Sequence, residues 1–240
     1  MRNIHKSIWK RLFRSSHQSD AIQHIAKVTK EIIDPLSAIA VPLTFRGKGY
    51  FQSLELKQSP PEIFEFVKFL ADRDLRKILE IGTFRGGTLY VWCQLLRDKA
   101  GAMVVSVDLP GGKFGGGYAV GSEDLFQAFC QHGQKLICLK GDSHSSGMVA
   151  KVAEELLGDQ LDFLFIDGDH SFAGVKADFE NYKRFVKKGG VIAFHDIVKR
   201  PSESGIQVDA FWESIKSDYE YYEFVGSPPY RSIGIGAIIV

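Results

Sequence analysis

Lys77-Ile78-Leu79-Glu80-Ile81-Gly82-Thr83-Phe84-Arg85-Gly86-Gly87-Thr88 decides how this chain reads. Four apolar or strand-forming residues run into a glycine turn, and the turn runs into an amphipathic segment. That order predicts a strand, a tight turn and a helix. It brings a ligand's polar groups up to bare backbone at a helix N-terminus, where unpaired N–H groups and the positive dipole end favour them. Asp108 follows at about the distance, roughly 20 residues, at which an acid holds a ribose in nucleotide-binding sheets. The middle glycine of the dinucleotide fingerprint is missing, because Phe84 stands there. Phe84 and Arg85 crowd a pyrophosphate. Glu80, ending the strand, suits an amino-bearing ligand better than a phosphate. An ordinary tight turn is the plain structural alternative.

Outward from this stretch the pattern alternates in the βα manner. Strands are predicted at 78–81, 103–107, 136–139, 161–166 and 191–194. Helices are predicted at 88–97, 122–132, 148–157 and 172–186, with Gly189-Gly190 stopping the last. A helix near 208–215 and two strands, 221–225 and 235–240, close the sheet. The expected fold is α/β: a doubly wound, mostly parallel, seven-stranded Rossmann-like sheet spanning 76–240. Residues 1–75 read as an N-terminal helical cap, punctuated by Asp34-Pro35, Val41-Pro42 and Ser59-Pro60-Pro61. The helix after Pro61 carries Ile63, Phe64, Phe66, Val67 and Leu70 towards the sheet.

Composition sets the limits. The chain has 240 residues, 45% hydrophobic and 25% charged, enough for one α/β domain and an appendage. A formal net charge of +1 gives no global field for nucleic acid or an anionic membrane. Cys93, Cys130 and Cys138 form no CxxC pair and sit in apolar surroundings, which fits buried, reduced thiols and a reducing cytoplasm. No apolar run reaches the roughly 20 residues of a membrane helix. Arg2, Lys6, Lys10, Arg11 and Arg14 flank Ile4, Ile8, Trp9, Leu12 and Phe13 at helical spacing. Such a helix can lie on a membrane or act as a transit peptide. Packing on the body or on a second subunit, as in a homo-oligomer, is the preferred reading.

The polar residues fall at one rim. Glu80, Asp108, Asp142, Asp167 and Asp196 stand at or just beyond the carboxyl ends of successive strands, the edge where open α/β sheets bind ligands. Asp108 can accept from two ribose hydroxyls. Asp142 stands where an adenine amino group would be read, or else caps a helix. Phe165-Ile166-Asp167-Gly168-Asp169-His170 sets three titratable groups in four positions, and His195-Asp196 ends the adjoining strand. Asp167 and Asp196 with water suit Mg²⁺; adding His195 admits Mn²⁺ or Fe²⁺. Without a metal, Asp169 and His170 form an acid/base pair. The glycine-rich run 111–118 reads as a mobile lid or a plain surface loop, and it lacks the Gly-Lys-Ser/Thr ending of a P-loop.

The motifs Glu80 to Thr88, Ser106-Val107-Asp108, Gly141-Asp142-Ser143, Phe165 to Phe172 and Gly189 to Asp196 resemble class I S-adenosylmethionine-dependent methyltransferases. They are most similar to the bacterial small-molecule group of macrolide-sugar and aminocoumarin-sugar O-methyltransferases, and also to the cephalosporin hydroxylase-like and catechol or caffeoyl-CoA groups. The resemblance covers about 59–198. It implies that Glu80, Gly82, Thr83, Gly86 and Thr88 hold the amino-acid part of S-adenosylmethionine, that Asp108 binds the ribose, and that Asp142 and Ser143 meet the adenine. It implies Asp167, His195 and Asp196 as metal ligands, His195 departing from the group's usual acidic or amide ligand. Asp169 stands at the general-base position, with His170 its rival. The expected activity is methyl transfer to a hydroxyl of a small sugar- or diol-bearing molecule. The alternatives are an NAD-type oxidoreductase and a non-catalytic nucleoside-binding module.

Overall fold

The structure, a computed structural model, describes residues 2–111, 117–118, 120–131, 133–228 and 233–240. Helix α1 spans Arg2–Glu31, α2 Ala40–Thr44 and α3 Pro60–Ala71. The alternating unit follows as β1 (Lys77–Ile81), α4 (Gly87–Leu95), β2 (Met103–Asp108), α5 (Ser122–Gln127), β3 (Lys135–Lys140), α6 (Ser146–Leu156), β4 (Leu161–Ile166), α7 (Phe172–Tyr182) and β5 (Val186–His195). Helix α8 (Val208–Ile215), β6 (Glu220–Phe224) and β7 (Ile235–Ile239) complete it.

Seven strands lie in the order β3-β2-β1-β4-β5-β7-β6. The first five are parallel, and β7 runs antiparallel to both β5 and β6. The order reverses between β1 and β4, so the ends of these strands face the crevice in which such sheets take ligands. Strand alternation divides the core. Ile78, Phe163, Phe165 and Ala193 pack with α3, α4 and the N-terminal residues Ala21, Ile25 and Phe45. Leu79, Ile81, Leu164, Ile166 and Phe194 pack with α6, α7 and α8. β4 is buried along its whole length, as a central parallel strand covered on both faces must be.

Helix α3 starts with a capping box: Glu62 Oε1 accepts from Ser59 N at 2.6 Å, and prolines occupy the first turn. The expected seven-stranded, mostly parallel sheet is present. Three local expectations need correction. The helix from 172 ends at Tyr182 and tightens into a 3₁₀ turn at Lys183–Phe185, because Val186 already pairs with Leu161. Gly189-Gly190 therefore lies inside β5, where the β4–β5 register shifts and Gly189 takes φ +76°, the mark of a bulge. Helix α5 stops at Gln127. Of the cysteines only Cys93 is fully buried; Cys130 and Cys138 are partly exposed, and all three are free.

The backbone of the basic N-terminal segment is helical, but the side chains of 2–14 lie outside the described residues, as does 112–116 of the glycine run. From Gln18 onward α1 packs on the body. Gln18 Nε2 donates to Gly121 O at 3.0 Å and to Asp124 Oδ2 at 2.7 Å, and Thr29 Oγ1 meets Tyr90 Oη at 3.2 Å.

Candidate active site

The turn after β1 is held by close backbone packing. Gly82 has φ +86°, and a Cβ there would stand 2.0 Å from the carbonyl oxygen of Asp167. Only glycine fits. Gly86, at φ +82°, is the N-cap of α4. Residues 54–55 cross the helix start so closely that a Cβ on Gly87 would lie 2.4 Å or less from their carbonyl oxygens.

Glu80 lies beneath this turn with no exposed surface. Its Oε1 accepts from Trp92 Nε1 and its Oε2 from Thr83 Oγ1, both at 2.9 Å. Burial pushes its pKa up to about 8, against the hydrogen bonds from Thr88, Thr83 and Trp92. Glu80 thus shapes the turn from below. Thr83 and Thr88 are buried with it, and Thr83 Oγ1 continues the chain through Ser106 Oγ to Tyr118 Oη.

Asp108 ends β2 beside the turn. Its Oδ2 accepts from Thr83 N at 2.9 Å and Phe84 N at 2.7 Å, and its Oδ1 from Leu109 N at 2.7 Å. Burial raises its pKa while those amides pull it down. Asp142, exposed, accepts from His144 N at 2.9 Å in a local turn, and Ser143 O accepts from Tyr182 Oη at 2.8 Å. The cap of α6 is Ser145, not Asp142.

The ends of β4 and β5 bring Asp167, His170, His195 and Asp196 together. Asp167, His170 and Asp196 place one donor atom each within 4.8 Å of one another. His170 Nε2 is 3.4 Å from Asp167 Oδ1, and His170 Nδ1 is 3.4 Å from Asp196 Oδ2. Asp167 raises the His170 pKa above its ordinary value, burial opposing. His195, expected as a ligand, reaches the same Asp167 oxygen from below, its Nδ1 also 3.8 Å from Asp196 Oδ1. Strand alternation puts Phe194 on the α7–α8 side and His195 on the α3 side, where it is 3% exposed. Its Nδ1 lies 3.1 Å from Asp167 Oδ1 and its Nε2 3.4 Å from Glu62 Oε1. Both ring nitrogens lie next to carboxylates. Burial disfavours the His195 cation, yet Asp167 and Glu62 push its pKa up to about 10. The cations beside Asp167 in turn hold its carboxyl well below the usual range against the opposing effect of partial burial.

Asp169, exposed, accepts from Ser171 N at 2.8 Å and leads into α7. Five further residues at this rim, Gln58, Glu62, His144, Asp178 and Arg200, escaped the sequence reading. Gln58 Nε2 donates to Asp167 Oδ2 at 2.9 Å, Arg200 Nη2 donates to Asp196 Oδ1, Glu62 backs His195, and Asp178 backs His144. Glu62 shares a helix face with Phe66 and Leu70, and Asp178 stands in the buried stripe of Val175, Phe179 and Tyr182. An acid on an apolar helix face was the available signal.

A family model described as a methyltransferase domain matches residues 79–197. The protein y4gI of Sinorhizobium fredii is 29% identical over 146 residues, 58% of this chain and 15% of that protein. R132 of Acanthamoeba polyphaga mimivirus is 30% identical over 129 residues, 52% of this chain and 53% of that one. The aligned part is thus about half, or less, of these relatives' own length. Among solved structures, the O-methyltransferase TomG of Streptomyces achromogenes, crystallised with S-adenosylmethionine, superposes with a TM-score of 0.57 at 18% identity over 87% of this chain and 91% of that one. None of these matches supports an oxidoreductase. The glycine turn, the acids beyond it and the reversal of strand order between them all lie within the residues that the methyltransferase-domain model matches, and the chain shares the fold of the solved O-methyltransferase.

Proposed function

We propose that this protein transfers the methyl group of S-adenosylmethionine to a hydroxyl oxygen of a small molecule bearing neighbouring oxygens, such as a sugar or a diol. The observation that carries the reading is the gathering of Asp167, His170 and Asp196 next to the Gly82 turn, at the point where strand order reverses. The turn amides would receive the amino-acid end of the cofactor and Asp108 its ribose. Asp142 and Ser143, beyond β3, would meet the adenine.

Asp167, His170 and Asp196 would hold a divalent cation. Two carboxylates and one imidazole suit Mg²⁺, Mn²⁺ or Fe²⁺, and such an ion, when bound, lowers the pKa of an acceptor hydroxyl. Gln58 and His195 orient Asp167, and Arg200 orients Asp196. With His170 in this set, Asp169 is the general base, exposed two residues beyond Asp167. Its carboxylate takes the hydroxyl proton, the oxygen forms a bond to the methyl carbon, and the carbon–sulfur bond breaks to leave a neutral thioether. Alignment of oxygen, carbon and sulfur supplies much of the rate. Residues 1–75 act as the cap over the 76–240 domain, Gln58 and Glu62 being its reach into the site.

The test is S-adenosylhomocysteine binding by calorimetry, followed by methyl transfer to a panel of sugars and catechols with and without chelator. Asp167→Ala should lose turnover by about a thousandfold or more while S-adenosylhomocysteine still binds. Unchanged turnover in that variant, with chelator harmless, would remove the metal from the reaction.

A further inference from the structure

A second imidazole–carboxylate pair stands at the same rim, on the far side of β4 from His195. His144 follows β3 in the loop 141–145. Its Nε2 lies 3.4 Å from Asp178 Oδ1, and its Nδ1 is 3.8 Å from Asp142 Oδ1. Asp178, on α7, has no exposed surface, and neither of its carboxylate oxygens meets a hydrogen-bond partner at good geometry. A buried carboxylate with no partner but one cation is costly, and a fold keeps it only where something else requires the charge. The same loop is tied to the same helix a second time by Tyr182 Oη on Ser143 O, at 2.8 Å. His144 keeps 30% of its side chain exposed.

We propose that Asp178 is a positioning residue of the cofactor site: it anchors the His144 ring through Nε2, so that Nδ1 meets a ring nitrogen of the purine beside the amino-group acceptor Asp142. This rests on the function proposed above and extends it. A donor next to an acceptor matches the edge of adenine, in which an amino group adjoins an unprotonated ring nitrogen. It mismatches hypoxanthine or guanine, whose carbonyl and protonated nitrogen invert the pattern. Three carboxylates face His144: Asp178 from α7, Asp142 from its own loop and Asp169 from the loop after β4. Asp178 is the strongest of them, and together they raise the His144 pKa to about 9 against the opposing effect of burial. Tyr182, next to Asp178, stays neutral across the working range, its pKa raised by burial.

The experiment measures the Kd of S-adenosylhomocysteine from pH 5.5 to 9.5 in the unaltered 240-residue chain and in Asp178→Asn and His144→Gln. Wild-type affinity should be flat to about pH 8 and fall above it. In Asp178→Asn the imidazole loses its counter-charge, so affinity should fall about tenfold at pH 8 and recover towards wild type at pH 5.5 to 6. His144→Gln should be weaker at every pH and show no step above pH 8. A uniform loss in Asp178→Asn from pH 5.5 to 8 means a structural role only and overturns the proposal, as does unchanged affinity at pH 8. Should Asp178→Asn fail to fold, the His144→Gln profile decides: a step above pH 8 that survives the substitution overturns it. Absence of S-adenosylhomocysteine binding by wild type at every pH instead overturns the underlying function.

Discussion

Glu80 shows how a residue legible in type takes its surroundings from the fold. An acid ending the first strand suggests a ligand's amino group. In the fold it is sealed under the turn, with Trp92 and Thr83 on its oxygens. Its pKa, about 8 in the fold against 4.5 for an ordinary glutamate, means that the native state keeps a proton the unfolded chain gives up. The stability it contributes is complete below pH 4.5 and is lost as pH rises through 8. Glu80→Gln keeps an acceptor for Trp92 and removes the titration. Its Tm should match or exceed wild type at pH 8, and the slope of Tm against pH between 5 and 8 should flatten. Glu80→Ala, which strands the Trp92 donor, should cost about 1–3 kcal/mol in denaturant melts. His195 is the complementary case. A histidine before Asp196 at the end of a strand has the composition of a ligand. Its direction follows from pleat parity, and its partner Glu62 lies 133 residues away in sequence.

At the scale of elements, the strand–turn–helix from Lys77 was readable because its glycines have local reasons. Gly86 needs a positive φ, and Gly82 needs that and the absence of a Cβ. Gly82→Ala would drive a methyl into the Asp167 carbonyl, which belongs to β4's own exit. We expect a loss of at least about 1–3 kcal/mol and loss of S-adenosylhomocysteine binding together, read by thermal melts and calorimetry. A variant that melts as wild type and binds normally would show that the turn tolerates the shift. Gly189-Gly190 was less readable. Two glycines after a helical pattern look like a stop signal, but the helix has already yielded to a 3₁₀ turn and the pair marks a bulge in β5. Local sequence cannot separate these readings, because the pairing of Val186 with Leu161 is what ends the helix.

Across the whole molecule, the N-terminal residues share a core with the sheet. Ala21 and Ile25 are buried against the α4–α5 side, and Gln58 and Glu62 enter the site itself. Removing residues 2–31 would uncover that apolar face and leave Tyr90 without Thr29. The truncated protein should melt at least several degrees lower and self-associate in size-exclusion chromatography; a monomer of unchanged Tm would show α1 to be dispensable. The sequence by itself determined the sheet, its parallel majority, the glycine turn and the row of acids at the carboxyl rim. Those features are written in short-range patterns: two-residue and 3.6-residue periodicity, and glycine where φ is positive. Only the tertiary structure decided that His170 joins Asp167 and Asp196 while His195 is shared between Asp167 and Glu62, that Glu80 faces inward, and that Asp178 backs His144. Each of these depends on which face a side chain takes and on what a distant helix brings against it, and no local spacing carries that information.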